Sequence, residues 1–270
     1  MRMLVVDAFT DRPFSGNPAG VCMLEHEADP GWMQRVAMEM KHSETAFVRP
    51  IEAPDADFEL RWFTPLTEVA LCGHATMASA YALFATGAVP AGGTIRFRTL
   101  ESGVLTVTRD SGGVLEMDFP ASPAEPAEAP AGLAAALGTA ALRTGRTSQN
   151  DLLVEVAGEA AVRDLAPDIA ALGRIEARGI IVTAAAAPGE AHDFVSRFFA
   201  AGVLLGDGED PVTGSAHCAL APFWSERFGR DALVGYQASA RGGYVRTALR
   251  GDRVILSGTA VIVLDGTLTV

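Results

Sequence analysis

Apolar and polar positions alternate in short runs along most of this chain, and each run is stopped by Gly, Pro, Asp or Ser. "MLVVDAF", "AGVCML", "TAFVRP", "FELRWFT", "TIRFRT", "GVLTVTRD" and "GVLEMDF" are of this kind, and their length and partial period of two predict β-strands. Three stretches break the pattern. "DPGWMQRVAMEMKH" predicts a helix with Asp29 as N-cap and Pro30 in the first turn. "HATMASAYALFATG" predicts a helix closed by Gly87, and "SAHCALAPFWSERFG" one ended by Gly229, with Pro222 expected in its first turns, where proline is tolerated. The last two are apolar or small nearly all round. Such helices have no face to give to water, so each is expected inside the strands of its own half.

The two buried helices belong to a repeat. "EVALCGHATMASA" from Glu68 superimposes without a gap on "EDPVTGSAHCALA" from Glu209, so that Glu68 meets Glu209, Gly73 meets Gly214 and His74 meets Ser215. "RWF" at Arg61 and "RFF" at Arg197 precede the two copies. "SGVLTV" and "GGVLEM" follow the first, as "GGYVRT" and "GDRVIL" follow the second. The fold class expected is therefore α+β: two similar halves, each a curled, mostly antiparallel sheet around a central helix. The expected division is residues 1–120, a linker at 121–132 within the proline-rich "FPASPAEPAEAPAG", and residues 133–270, with the last strand free to return to the first half.

Composition narrows the function classes. Hydrophobic residues at 49% and charged residues at 20% suit a globular core, and 270 residues suffice for two compact units. A net charge of -12 argues against a nucleic-acid or anionic-membrane partner. No run approaches the apolar length of a membrane span, and the first strand meets Asp7 too early to read as a signal peptide. Three cysteines, Cys22, Cys72 and Cys218, imply no disulfide framework, so a reducing cytoplasm is the expected location.

In both copies an acidic segment leads through a small residue into a glycine that opens a helix. The first N–H groups of a helix have no acceptor within it, and the helix dipole adds positive charge there. Gly73 and Gly214 then let backbone approach a ligand, and two such starts facing one another would hold a carboxylate; the plain alternative is a glycine serving only a tight turn. Cys72 and His74 carry no accompanying metal-ligand pattern, so no metal is expected. His74 is read as a substrate contact or as a helix cap, and Cys72 as a buried small residue before it is read as a nucleophile. Glu44 sits in a small and apolar stretch at a strand start, where partial loss of water suits acid/base work. An exposed strand-end glutamate is the alternative there. Asp210 precedes Pro211 and can be a turn residue.

"VDAFTDRPFSGNPAGVC", "SETAFV", "FTPLTEVALCGHATMASA" and "GEDPVTGSAH" together resemble the signature stretches of the phenazine-biosynthesis PhzF-like family, of diaminopimelate-epimerase-like fold. The resemblance implies an active site between two similar halves and a cofactor-free proton shift on a small cyclic or amino-acid-like carboxylate, of the trans-2,3-dihydro-3-hydroxyanthranilate type. It implies Glu44 as the acid/base, with His74, Asp210 and Ser215 holding substrate or relaying protons, and Gly73 as backbone donor to the carboxylate. It also implies a homodimer. Two other readings stand beside it. One is a two-thiol epimerase or racemase, although the second copy has Thr213 where the first has Cys72. The other is a non-catalytic binder of small carboxylates.

Overall fold

The structure is a computed structural model that describes residues 1–201 and 208–270. The chain forms two compact units, Met1–Asp118 with Ser257–Val270, and Phe119–Leu256. The first holds β1 (Arg2–Ala8), β2 (Asn17–Met23), α1 (Pro30–Met40), β3 (Glu44–Pro50), β4 (Phe58–Phe63), β5 (Glu68–Val69), α2 (Gly73–Ala85), β6 (Thr94–Arg98), β7 (Val104–Arg109) and most of β8 (Leu115–Pro120). The second holds β9 (Glu125–Pro126), α3 (Leu133–Leu137), β10 (Arg143–Arg146), β11 (Leu152–Glu155), α4 (Glu159–Arg163), α5 (Ile169–Leu172), β12 (Ile180–Ala185), β13 (Phe194–Phe199), β14 (Glu209–Asp210), α6 (Gly214–Phe228), β15 (Ala232–Gln237), β16 (Gly243–Arg250) and most of β17 (Arg253–Gly258). The last strand, β18 (Ala260–Thr267), pairs antiparallel with β1.

The pairings of the two units repeat step for step. In the first, β18–β1, β1–β2, β3–β4, β4–β5 and β6–β7 are antiparallel, while β2–β3 and β4–β6 are parallel. In the second, β9–β10, β10–β11, β12–β13, β13–β14 and β15–β16 are antiparallel, while β11–β12 and β13–β15 are parallel. Each parallel step requires a crossover, and helices supply it: α1 or α4 and α5 for one, α2 or α6 for the other. The sheets are thus mostly antiparallel, with parallel pairs only where a helix intervenes.

The expected helix over "HATMASAYALFATG" is α2. Ten of its residues from His74 to Phe84 are buried, including Thr76 and Ser79. Those two hydroxyls donate back to the carbonyls of Cys72 (2.6 Å) and Ala75 (2.7 Å), so an all-round buried helix carries no unmet hydroxyl there. It packs on β1, β2, β3 and β18. That contact buries β1 on both faces and explains its unbroken run of apolar side chains around Asp7. A second cluster, with Met3, Met33, Val36, Phe47 and Phe63, lies under α1, whose Asp29 carboxylate accepts from Trp32 N–H at 2.9 Å.

Pro222 does not lie in the first turns of α6; it is well inside that helix, which begins at Gly214. Its missing N–H leaves the Cys218 carbonyl without its helical donor. The Ser122 N–H, from the segment before β9, donates to that carbonyl at 3.0 Å. An external donor is why the helix continues through a proline.

The Met77 side chain is fully buried at the centre of α2. Met77→Ala is expected to cost about 2–5 kcal/mol in urea unfolding with an unchanged m-value. A loss below about 1 kcal/mol would show that α2 is not the close-packed centre of its unit.

Candidate active site

The two helix starts singled out by the repeat are each built by the same device. The strand before the helix, the two-residue strand and the helix start are tied by a bidentate Arg–Glu fork. Arg61 on β4 reaches Glu68 on β5 at 2.7 and 2.8 Å, and Arg197 on β13 reaches Glu209 on β14 at 2.7 and 2.8 Å. Each guanidinium also lies over a phenylalanine two residues on, Phe63 at 5.4 Å and Phe199 at 5.0 Å. Paired forks of this kind fix direction as well as distance. The N-caps, Cys72 and Thr213, are both extended and make no side-chain cap bond, so Gly73 and Gly214 open their helices in the same way.

In the first unit, Glu44 opens β3 opposite Ala19 of β2, with its side chain 14% exposed. His74 Nε2 lies 3.3 Å from Glu44 Oε2, and His74 Nδ1 lies 3.4 Å from the Cys72 sulfur. The Nε2–Oε2 approach is close but is not aligned as a hydrogen bond. Burial, reinforced by the nearby His42, pushes the His74 imidazolium down to about 3, so the ring is neutral at ordinary pH even beside a carboxylate. The glutamate is half-sheltered, as its small and apolar surroundings suggested.

Asp210 in the second unit is buried on β14, where its carboxylate accepts from the Thr213 hydroxyl. Gln237 clamps this turn: its Oε1 accepts from Thr213 N–H at 2.9 Å and its Nε2 donates to the Asp210 carbonyl at 2.7 Å. The Ser215 hydroxyl accepts from Arg178 at 3.1 Å, and Arg178 also pairs with the buried Asp151. Burial raises the Asp151 carboxyl while Arg178 opposes it. His217 donates from Nδ1 to the Thr213 carbonyl at 2.8 Å, and burial holds its imidazolium down at about 4.

Glu44, His74 and Gly73 therefore come together at one helix start, and Asp210, Gly214 and Ser215 at the other. Sequence reasoning missed Gln237 at the end of β15 and Arg178 and Asp151 on the segments ahead of β12 and β11, which reach the second start from far off in sequence with no local motif. Asp7 and Asn17 were visible within "VDAFTDRPFSGNPAG" without an assigned role. Asp7 accepts from Phe14 N–H at 2.7 Å, and Gly16, at φ +64°, lies where any Cβ would meet the Ala8 carbonyl. The motif is a tight backbone loop ahead of β2.

Among the described residues, two sets of donors are near enough to one another to consider a metal: Glu44, Cys72 and His74, and Glu159, Glu190 and His192. In the first, the Cys72 sulfur already engages the His74 ring at Nδ1, 3.4 Å away. In the second, Glu159 is already engaged by Arg163, the Ala187 N–H and His192. Neither is assigned an ion.

The sequence matches the family of phenazine biosynthesis-like proteins, PhzC–PhzF, over residues 6–266. An uncharacterized isomerase of Halalkalibacterium halodurans is 46% identical over 98% of this chain and 97% of its own. A PhzF-family crystal structure from Enterococcus faecalis superimposes with a TM-score of 0.89 at 38% identity, covering 98% of this chain and 97% of the other. A hydroxyproline epimerase of Agrobacterium vitis, at 11% identity and a TM-score of 0.66 over 98% and 91% of the two chains, shares the fold. The chain belongs to the phenazine biosynthesis-like family. No described helix is long and apolar enough to cross a membrane.

His74 and His217 are both neutral when folded and protonate near pH 6.5 when unfolded, so the unfolded state binds more protons below that pH. Stability is expected to fall from about pH 6.5 towards pH 4, each histidine adding up to about 1.4 kcal/mol per pH unit. Urea midpoints across that range, compared with His217→Gln, check it; an unchanged slope in the variant would remove His217 from the account.

Proposed function

We propose that this protein is a cofactor-independent isomerase that moves a proton on a small cyclic or amino-acid-like carboxylate, of the trans-2,3-dihydro-3-hydroxyanthranilate type, with Glu44 as the acid/base. The observation that carries the reading is the half-sheltered Glu44 carboxylate set 3.3 Å from a neutral imidazole at a helix start. A carboxylate so placed can take a proton from one carbon and return it to another while little water competes for it. His74 acts as a neutral hydrogen-bonding partner to substrate and to Glu44, since it does not hold a second proton near neutral pH. Gly73 offers backbone N–H to the substrate carboxylate, where the helix dipole adds to the attraction. Asp210, Gly214 and Ser215 are assigned substrate-holding roles on the strength of the repeated helix start. A homodimer in the cytoplasm completes the proposal.

The two-thiol alternative is disfavoured by chemistry. Cys218 is inside α6, and burial pushes its thiol up to about 12, which leaves it protonated and a poor base. A pure binding protein has no need of an acid/base group beside the carboxylate cradle.

The test is exchange of substrate protons with deuterated water, followed by NMR across a panel of cyclic and amino-acid-like carboxylates. Glu44→Gln is expected to lower exchange by about 10²–10⁴-fold with binding retained. Full exchange in that variant sinks the assignment, and exchange lost in Cys72→Ala but kept in Glu44→Gln favours the two-thiol reading.

A further inference from the structure

Cys72 has no part in the proposed reaction, yet it is placed as though it had one. Its sulfur is buried 3.4 Å from Nδ1 of His74, while the opposite nitrogen of the same ring is 3.3 Å from Glu44. One atom from each of the three side chains lies within 4.8 Å of the others. We propose that Cys72, His74 and Glu44 form a single proton relay, in which Cys72 acts through His74 as a positioning residue for the proton on Glu44. The proposal rests on the reading of Glu44 as the acid/base.

The ring's chemistry dictates how such a relay works. A neutral imidazole donates from one nitrogen and accepts at the other. With Glu44 ionised, the ring proton sits on Nε2, the nitrogen nearer the carboxylate, and Nδ1 accepts from the Cys72 thiol. When the thiol proton passes to Nδ1, the Nε2 proton passes to Glu44 Oε2. The S–H bond breaks as Nδ1–H forms, and Nε2–H breaks as the carboxyl O–H forms. Thiol plus carboxylate becomes thiolate plus carboxylic acid, and the ring changes tautomer without becoming charged. That last condition matters because burial strongly disfavours the imidazolium of His74. Glu44 can thereby start a cycle as base or as acid without drawing a proton from water. The unaligned Nε2–Oε2 approach is the kind of catalytic contact that tightens when ligand binds.

The surroundings permit the proton to be followed. His42, at the turn before β3, is a further titratable group near His74. On the neighbouring strands, Asp7 accepts from Phe14 N–H and Asp265 is paired with Arg2 at the surface. Burial pushes the thiols of Cys22 to about 11 and Cys218 to about 12, so both stay protonated and unreactive where Cys72 is to be titrated.

The test uses the intact protein and two readouts. The first is the rate of iodoacetamide alkylation of Cys72 against pH, with Cys72→Ala as the blank. Glu44→Gln removes the charge that opposes the thiolate, so alkylation at a fixed pH below the thiol's titration is expected to rise about tenfold or more. The second is NMR of isotope-labelled histidine in the unmutated protein, where ionising Cys72 is expected to switch His74 from Nε2–H to Nδ1–H. Equal alkylation rates in the two proteins, or a tautomer that does not change, overturns the relay. Exchange lost in Glu44→Gln with an unchanged Cys72 rate overturns the relay alone and leaves the role of Glu44 standing. A confirmed relay with undiminished exchange in Glu44→Gln overturns that role instead.

Discussion

A helix without a polar face must be enclosed, and that requirement organises the first unit. Water on any side of α2 would expose apolar surface, at about 25 cal/mol for each Å². Strands therefore pack along it, and its hydroxyls turn inward on its own carbonyls. The enclosure reaches to the first turn, so the groups attached there are buried with the helix. His74 is neutral for this reason, and its neutrality decides which proton movements are open to it. Packing and chemistry meet at the same residue.

The Arg–Glu forks set where each enclosed helix begins. Their side chains are partly exposed in the first unit and more sheltered in the second. Exposed ion pairs contribute little net stability. Their value here is geometric: two parallel hydrogen bonds hold a two-residue strand that is too short to fix itself, directly ahead of the helix start. Repetition of the fork, down to the phenylalanine under each guanidinium, marks it as part of the shared framework.

Much of this was legible because it depends on local pattern. The strands announced themselves by alternation and the buried helices by its absence, and the repeat joined "RWF" to "RFF" and Glu68 to Glu209 before any pairing was known. The strands ahead of Arg61 and Arg197 repeat in topology without visible similarity in sequence. A buried strand asks only for apolar side chains, and many residues satisfy that. The stretch between β9 and β12 was opaque for a different cause, since α3, α4 and α5 are single turns with too few residues to show a period. At the sites, Glu44, His74, Asp210 and Ser215 lay within motifs, whereas Gln237, Arg178 and Asp151 come together from segments far apart in sequence. Pro222 was placed too early because nothing near it in sequence discloses that Ser122 would take up the carbonyl it frees.

That borrowed hydrogen bond carries a consequence for the chain's modularity. The helix α6 is not self-sufficient, since one of its carbonyls depends on a backbone donor that precedes the whole second unit's first strand. The first unit's helix has Tyr81 at the matching position and incurs no such debt. Two segments that descend from one pattern have thus become unequal. Anyone excising the second unit, or permuting the chain to open new termini, must cut upstream of Ser122 so that the donor travels with its helix.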